Sequence, residues 1–173
     1  VFGGVARPHK GIEVLLQAMM RPGLNECVLL IVGPQTDYLL KLCQCKQWLG
    51  RIYCTGPKSR AEMPAYLSVA DCMVIPQQDS MLAQSQVPCK VFEAMAMAKP
   101  IVASSISDLT EILSGCGWVV KPNDPDALAC QLLAVLNNKS LALETGEQAR
   151  DKCKKFYSVR QSANEWGQLI GDL

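Results

Sequence analysis

Six short runs of aliphatic and β-branched residues recur along this chain, and most of the stretches between them carry apolar residues three and four positions apart. The runs cover residues 1–5, 28–32, 51–55, 72–75, 101–103 and 117–120. Their length and composition read as strands. Ile12, Leu15, Leu16 and Met19 form one helical stripe between them. Met63, Tyr66, Leu67 and Ala70 form a second, and Leu128, Leu132, Val135 and Leu136 a third. Helix starts are marked by Ser59-x-x-Glu62 and Ser158-x-x-Gln161, which read as capping boxes. Asp124 before Pro125 reads as an N-cap with proline at the first helical position. After the sixth run the alternation stops, and three helices are expected near 125–136, 140–156 and 158–171.

Strands that are apolar on both faces and alternate with helices build a parallel sheet covered on both sides. The expected fold is therefore α/β: a doubly wound, Rossmann-like parallel sheet of about six strands with extra C-terminal helices. Residues 1–173 read as a single domain. In such a sheet the first strand is central. A chain that begins inside a central strand is expected to be one part of a larger protein.

Charge and composition remove several function classes. Seventeen basic residues stand against 16 acidic ones, a formal net charge of +1, which argues against nucleic acid as a partner. No apolar run approaches the roughly 18–20 residues of a membrane span; the best, near 127–138, is interrupted by Gln131. The opening Val1-Phe2-Gly3-Gly4 does not read as a signal peptide. A cytoplasmic protein is the expectation. The nine cysteines are scattered, without a Cys-x-x-Cys pair, and His9 is the only histidine, so neither a metal site nor a disulfide framework is expected. Most are read as reduced, buried thiols that pack like small hydrophobes.

Ligands of doubly wound sheets bind outside the carboxyl ends of the strands, where strand order reverses, between the first and fourth strands. The loops at those two places are unusual here. The first reads Arg7-Pro8-His9-Lys10-Gly11 and opens a helix. The second spans about 76–87, long enough to suggest a functional loop, and ends at Pro88 before a helix carrying Lys90 and Glu93. Arg7, Lys10, Lys58 and Lys90 are the candidate contacts for a diphosphate beside helix starts. Glu93 is a candidate acceptor of hydrogen bonds from ribose hydroxyls. The plainer readings stay open. Arg7 and Lys10 could be solvated loop cations, and Glu93 an ordinary helix residue paired with Lys90 at i,i+3. Lys152–Lys155 beside Phe156 and Tyr157 could meet a membrane surface or water. Trp48, Trp118 and Trp166 read as packing residues. No Gly-x-Gly-x-x-Gly and no Walker Gly-Lys-Ser/Thr is present, so NAD and ATP chemistry lose support.

The ordered set of motifs resembles the donor-binding half of retaining GT-B glycosyltransferases of the group 1 family. It comprises residues 1–18, Leu30-Ile-Val-Gly33, residues 63–76, and above all Pro88-Cys-Lys90-Val-Phe-Glu93-Ala-Met-Ala-Met-Ala-Lys-Pro100. The resemblance implies a two-domain, metal-independent enzyme that moves a hexosyl unit from a UDP- or GDP-sugar. An N-terminal acceptor-binding domain would complete it, and this chain alone would be inactive. It further implies that Lys10 contacts the diphosphate and that Glu93, the second acid of a Glu-x7-Glu pattern, holds the ribose. Gly56–Lys58 would lie near the base, and Cys89 would line the crevice as a thiol open to reaction. Three departures stand out. The first acid of the pattern falls on Ser85, where Asp79 could substitute. An arginine expected five residues before Lys10 falls on Val5, with Arg7 in reach. Ala98 replaces a usual glycine, a costly exchange if that backbone is left-handed. A non-catalytic binding module and a nucleotide-sugar epimerase are the alternatives.

Overall fold

The computed structural model describes residues 1–44, 48 and 50–171. All six expected strands form, as β1 (Phe2–Gly3), β2 (Leu29–Val32), β3 (Ile52–Cys54), β4 (Met73–Ile75), β5 (Ile101–Ser104) and β6 (Trp118–Val120). Every pairing is parallel. The ladder divides into two three-stranded halves, β1-β2-β3 and β4-β5-β6, in place of the one six-stranded sheet that the sequence suggested. The halves meet at β1 and β4, where the Val74 N–H donates to the Val1 carbonyl at 3.0 Å. β1 is too short to extend that contact into a ladder, because Gly4, at φ 109°, turns the chain away.

Side chains alternate between the two faces. Val74 and Val102 join a core with Leu29, Ile31, Leu15, Leu128 and Leu132. Met73, Ile75, Ile101 and Ala103 join a separate core with Val91, Met95 and Ala149. Helices supply both layers. On the first face, α1 (Ile12–Met19) packs against α7 (Pro125–Asn137). On the second, α5 (Lys90–Ala96) packs against α8 (Lys139–Phe156). Full burial of a residue such as Ile101 or Met95 contributes about 1.5–3 kcal/mol. The stripe expected in α1 is wholly buried.

The remaining helices are α2 (Asp37–Cys43), α3 (Met63–Ser68), α4 (Met81–Gln84), α6 (Leu109–Ile112) and α9 (Val159–Gly171). The expected long loop after β4 thus contains a short helix, started by Ser80, whose hydroxyl accepts from the Ala83 N–H at 3.2 Å. Asp124 caps α7 as the sequence suggests, accepting from the Ala127 N–H at 2.9 Å. The Ser59 box is one-sided. Glu62 accepts from the Ser59 N–H at 2.9 Å, and the Ser59 hydroxyl donates to the same carboxylate. Long cations secure two other helix ends: Lys152 donates to the carbonyls of Glu111 and Ser114, and Lys99 to those of Ser68 and Ala70.

Three further expectations need correction. Trp48 is buried and Trp118 packs against the first core, but Trp166 is exposed. Lys152 is tied to carbonyls and Tyr157 packs against Phe92, rings tilted by 51° with centroids 4.9 Å apart, so only Lys154, Lys155 and Phe156 remain outward from that cluster. Among the described cysteines, Cys72, Cys116 and Cys153 are buried, while Cys89 and Cys130 are exposed; Cys45 lies outside the described residues. No helix among the described residues is long and apolar enough to cross a membrane.

Candidate functional site

Where the sheet halves meet, the chain turns outward after β1 and again after β4, and a cavity of about 340 Å³ opens between the two turns. Gly3, Gly4, Arg7 and Lys10 line it from the first half. Pro76, Gln77 and Pro88–Lys90 line it from the second. A larger hollow of about 830 Å³ lies at the opposite, amino ends of the strands. Its lining is mainly aliphatic, and Lys99 there is already committed to two carbonyls. Three of the four candidate cations, Arg7, Lys10 and Lys90, gather in the smaller cavity.

Local sequence fixes its walls. Residues Pro8–Lys10 form one 3-10 turn that ends at Gly11 in the left-handed region, φ 71°. A Cβ on Gly11 would stand 1.7 Å from the Pro76 carbonyl oxygen, so only glycine lets the first loop seat against the end of β4. The Gln78 N–H then donates to the His9 carbonyl at 3.1 Å and fastens the two loops together. Lys90 lays its stem over the glycines of β1: a Cβ on Gly3 would meet its Cδ at 3.0 Å. Bare glycine backbone is what allows this lysine to reach the cavity.

The cations there press on one another. The Lys10 ammonium titrates below its usual range, first through burial and then through Arg7 and Lys90, with Cys89 opposing. His9 is also lowered, by burial first and then by Lys10 and Arg7. A negative ligand placed among these groups would relieve the crowding of positive charge.

Of the five candidate residues, Arg7, Lys10 and Lys90 share the cavity lining. Glu93 stands one turn further along α5, 3.5 Å from the Lys90 ammonium, so the plain i,i+3 pairing is realised. Lys58 is elsewhere, with its ammonium 4.9 Å from the ring centroid of Tyr66. Its pKa is raised, chiefly by Tyr66. Ser85 is exposed and donates to the Leu82 carbonyl, and exposed Asp79 accepts from Gln84 at 3.0 Å. Neither lines the cavity. Gln77 does; the sequence marked the loop at about 76–87 that contains it, but not this residue. No metal-binding cluster of His, Cys, Asp or Glu exists among the described residues.

Residues 1–138 match the family model for glycosyl transferases group 1. The chain belongs to this family. It is 27% identical over 159 residues to an uncharacterized glycosyltransferase of Methanocaldococcus jannaschii, covering 90% of this chain and 43% of that protein. It is 29% identical over 146 residues to the O-antigen chain mannosyltransferase B of Escherichia coli, covering 81% and 37% respectively. Among solved structures, Anabaena Alr3699/HepE in complex with UDP superposes with a TM-score of 0.83 at 19% identity, over 99% of this chain and 48% of that one. The group 1 chain thus has the Rossmann-like architecture of GT-B domains, and it spans about half or less of the length of the relatives it matches.

Proposed function

We propose that this group 1 chain is the donor-binding half of a retaining glycosyltransferase, which takes the diphosphate of a UDP- or GDP-hexose into the cavity between β1 and β4. One observation carries the reading: Arg7, Lys10 and Lys90 converge there from opposite halves of the sheet. Three cations neutralise a leaving diphosphate as the sugar bond breaks, which is electrostatic stabilisation of developing charge. Glu93 then has two roles. Without ligand it balances Lys90; with ligand bound, Lys90 turns to phosphate and the carboxylate is released to accept from ribose hydroxyls. Acceptor recognition falls to a separate N-terminal domain, so this chain alone transfers no sugar. The solved neighbour that holds UDP supports the choice of nucleotide class.

Calorimetry with UDP, GDP and ADP tests the reading. Saturable binding of at least one nucleoside diphosphate is expected, weakened by about 1–3 kcal/mol in Lys10→Ala and in Glu93→Ala, as for loss of one charged hydrogen bond. No binding of any of them at millimolar concentration overturns it. A second reading, a binding module without catalysis, is favoured by one fact: no Asp or Glu stands among the lining residues of the cavity. Ser85→Glu separates the two, since it leaves the activity of a complete enzyme unchanged only if that position plays no part in transfer.

A further inference from the structure

Gln77 is the anomaly of this cavity. It is 1% exposed, among the few buried polar residues of the described chain. Neither its Nε2 nor its Oε1 has a hydrogen-bond partner among the described residues. Its backbone is held firmly, with Pro76 against Gly11 and Gln78 bonded to His9. A buried carboxamide with both ends unpaired is costly, and such groups call for a specific explanation. Hydrophobic packing does not require it, since Met fills a similar volume without the cost.

The chemistry of the group narrows what it meets. A phosphate oxygen would satisfy the Nε2 donor and leave Oε1 facing an anion. A hydroxyl both donates and accepts, and a pair of neighbouring hydroxyls satisfies both ends of the carboxamide together. The anion is already served by Arg7, Lys10 and Lys90 on the same walls. Gln77 lines the cavity, and the outer torsion of a glutamine side chain is its softest, so a ligand there needs only a local reorientation of the carboxamide to meet it. We infer that Gln77 reads hydroxyl groups of the transferred sugar, so that it selects the hexose and leaves the nucleotide to other residues. The inference rests on the donor-binding role proposed above and names its sugar contact.

The test compares bare nucleotides with their sugar conjugates: UDP and GDP against UDP- and GDP-linked glucose, galactose, N-acetylglucosamine and mannose. Wild-type protein is expected to bind one conjugate more tightly than its nucleotide. Gln77→Met is expected to lose roughly five- to tenfold of affinity for that conjugate, the size of one or two neutral hydrogen bonds, and less than twofold for the bare nucleotide. Its melting temperature is expected to stay level or rise, because an unpaired buried amide has been removed. A structural glutamine would do the opposite. The Gln77 side-chain amide resonance in unmutated protein, shifted by the conjugate and not by the nucleotide, reads the same contact without a variant. Equal loss for nucleotide and conjugate, or a wild type that gains nothing from any sugar, overturns the inference while the donor-binding role stands. Failure of all nucleotides to bind removes both.

Discussion

A methyl group placed on Gly146 would stand 2.2 Å from the carbonyl oxygen of Ala98. These two residues mark the point where α8 crosses the end of α5, and the obstruction is backbone, which cannot swing aside. Gly146→Ala gains about 1 kcal/mol of helix propensity, yet forcing the helices apart costs about 1–3 kcal/mol. Net destabilisation is expected in urea denaturation. Equal or greater stability would show that α8 can shift freely.

Ala98 is itself strained. Its φ is 53°, and it ends α5 in a Schellman motif, with the Lys99 N–H donating to the Ala94 carbonyl at 3.0 Å and the Ala98 N–H to Met95 at 2.9 Å. Glycine is the residue that takes this position without steric penalty. Ala98→Gly is expected to stabilise the protein by about 1 kcal/mol, after allowance for the greater freedom of glycine in the unfolded chain. A lower denaturation midpoint would contradict that account.

Ligand affinity should follow pH through His9. Its imidazole titrates below 6.5, because of burial and then Lys10 and Arg7. A bound anion favours the charged imidazole, so the complex holds more protons than the free protein, and affinity rises as pH falls toward the lowered pKa of the free imidazole. A nucleotide sugar is the right probe, since its diphosphate diester keeps a constant charge over this range. Calorimetry should show proton uptake that disappears in His9→Ala; an unchanged pH profile in that variant would assign the effect elsewhere.

Thiol chemistry should sort the cysteines by place. Cys89 and Cys130 are exposed, whereas the Cys72 thiol is pushed up to about 11, by burial first. Brief alkylation near neutral pH is expected to label Cys89 and Cys130 and to spare Cys72 until the chain unfolds, as mass spectrometry can read.

Cys72 also bears on alkaline stability. Its thiol is held above the ordinary value of 9.0 in the fold. The unfolded chain therefore loses that proton first, and stability falls as pH rises between 9.0 and about 11. Denaturation midpoints across that interval should decline less steeply in Cys72→Ala. Equal slopes would place the loss in other groups.

β4 and β5 were legible because they are buried on both faces, which leaves an unbroken apolar run. The stripe of α1 was legible because its apolar residues recur at helical spacing and are buried. α2 buries only Leu39 and α4 only Ala83, and so neither leaves a periodic trace. At the site, Arg7, Lys10 and Lys90 could be placed because the point where strand order reverses is a property of the topology. Lys58 could not, since its approach to Tyr66 depends on how one loop settles on α3. Gln77 sits in a loop the sequence marked, but its burial left no trace, because it depends on Gly11 closing against Pro76 across 64 residues of intervening chain. Trp166 misled for a related reason: a large aromatic in a periodic helix suggests packing whether or not the fold supplies a surface to receive it.

The meeting of β1 with β4 has a last consequence. Arg7 and Lys10 travel with one half of the sheet and Lys90 with the other, and the halves share little backbone bonding. An anion clamped between these cations is a staple across a seam. Occupancy would then govern how readily the two halves breathe apart, and slowed amide hydrogen exchange at Val74 would record whether the staple is in place.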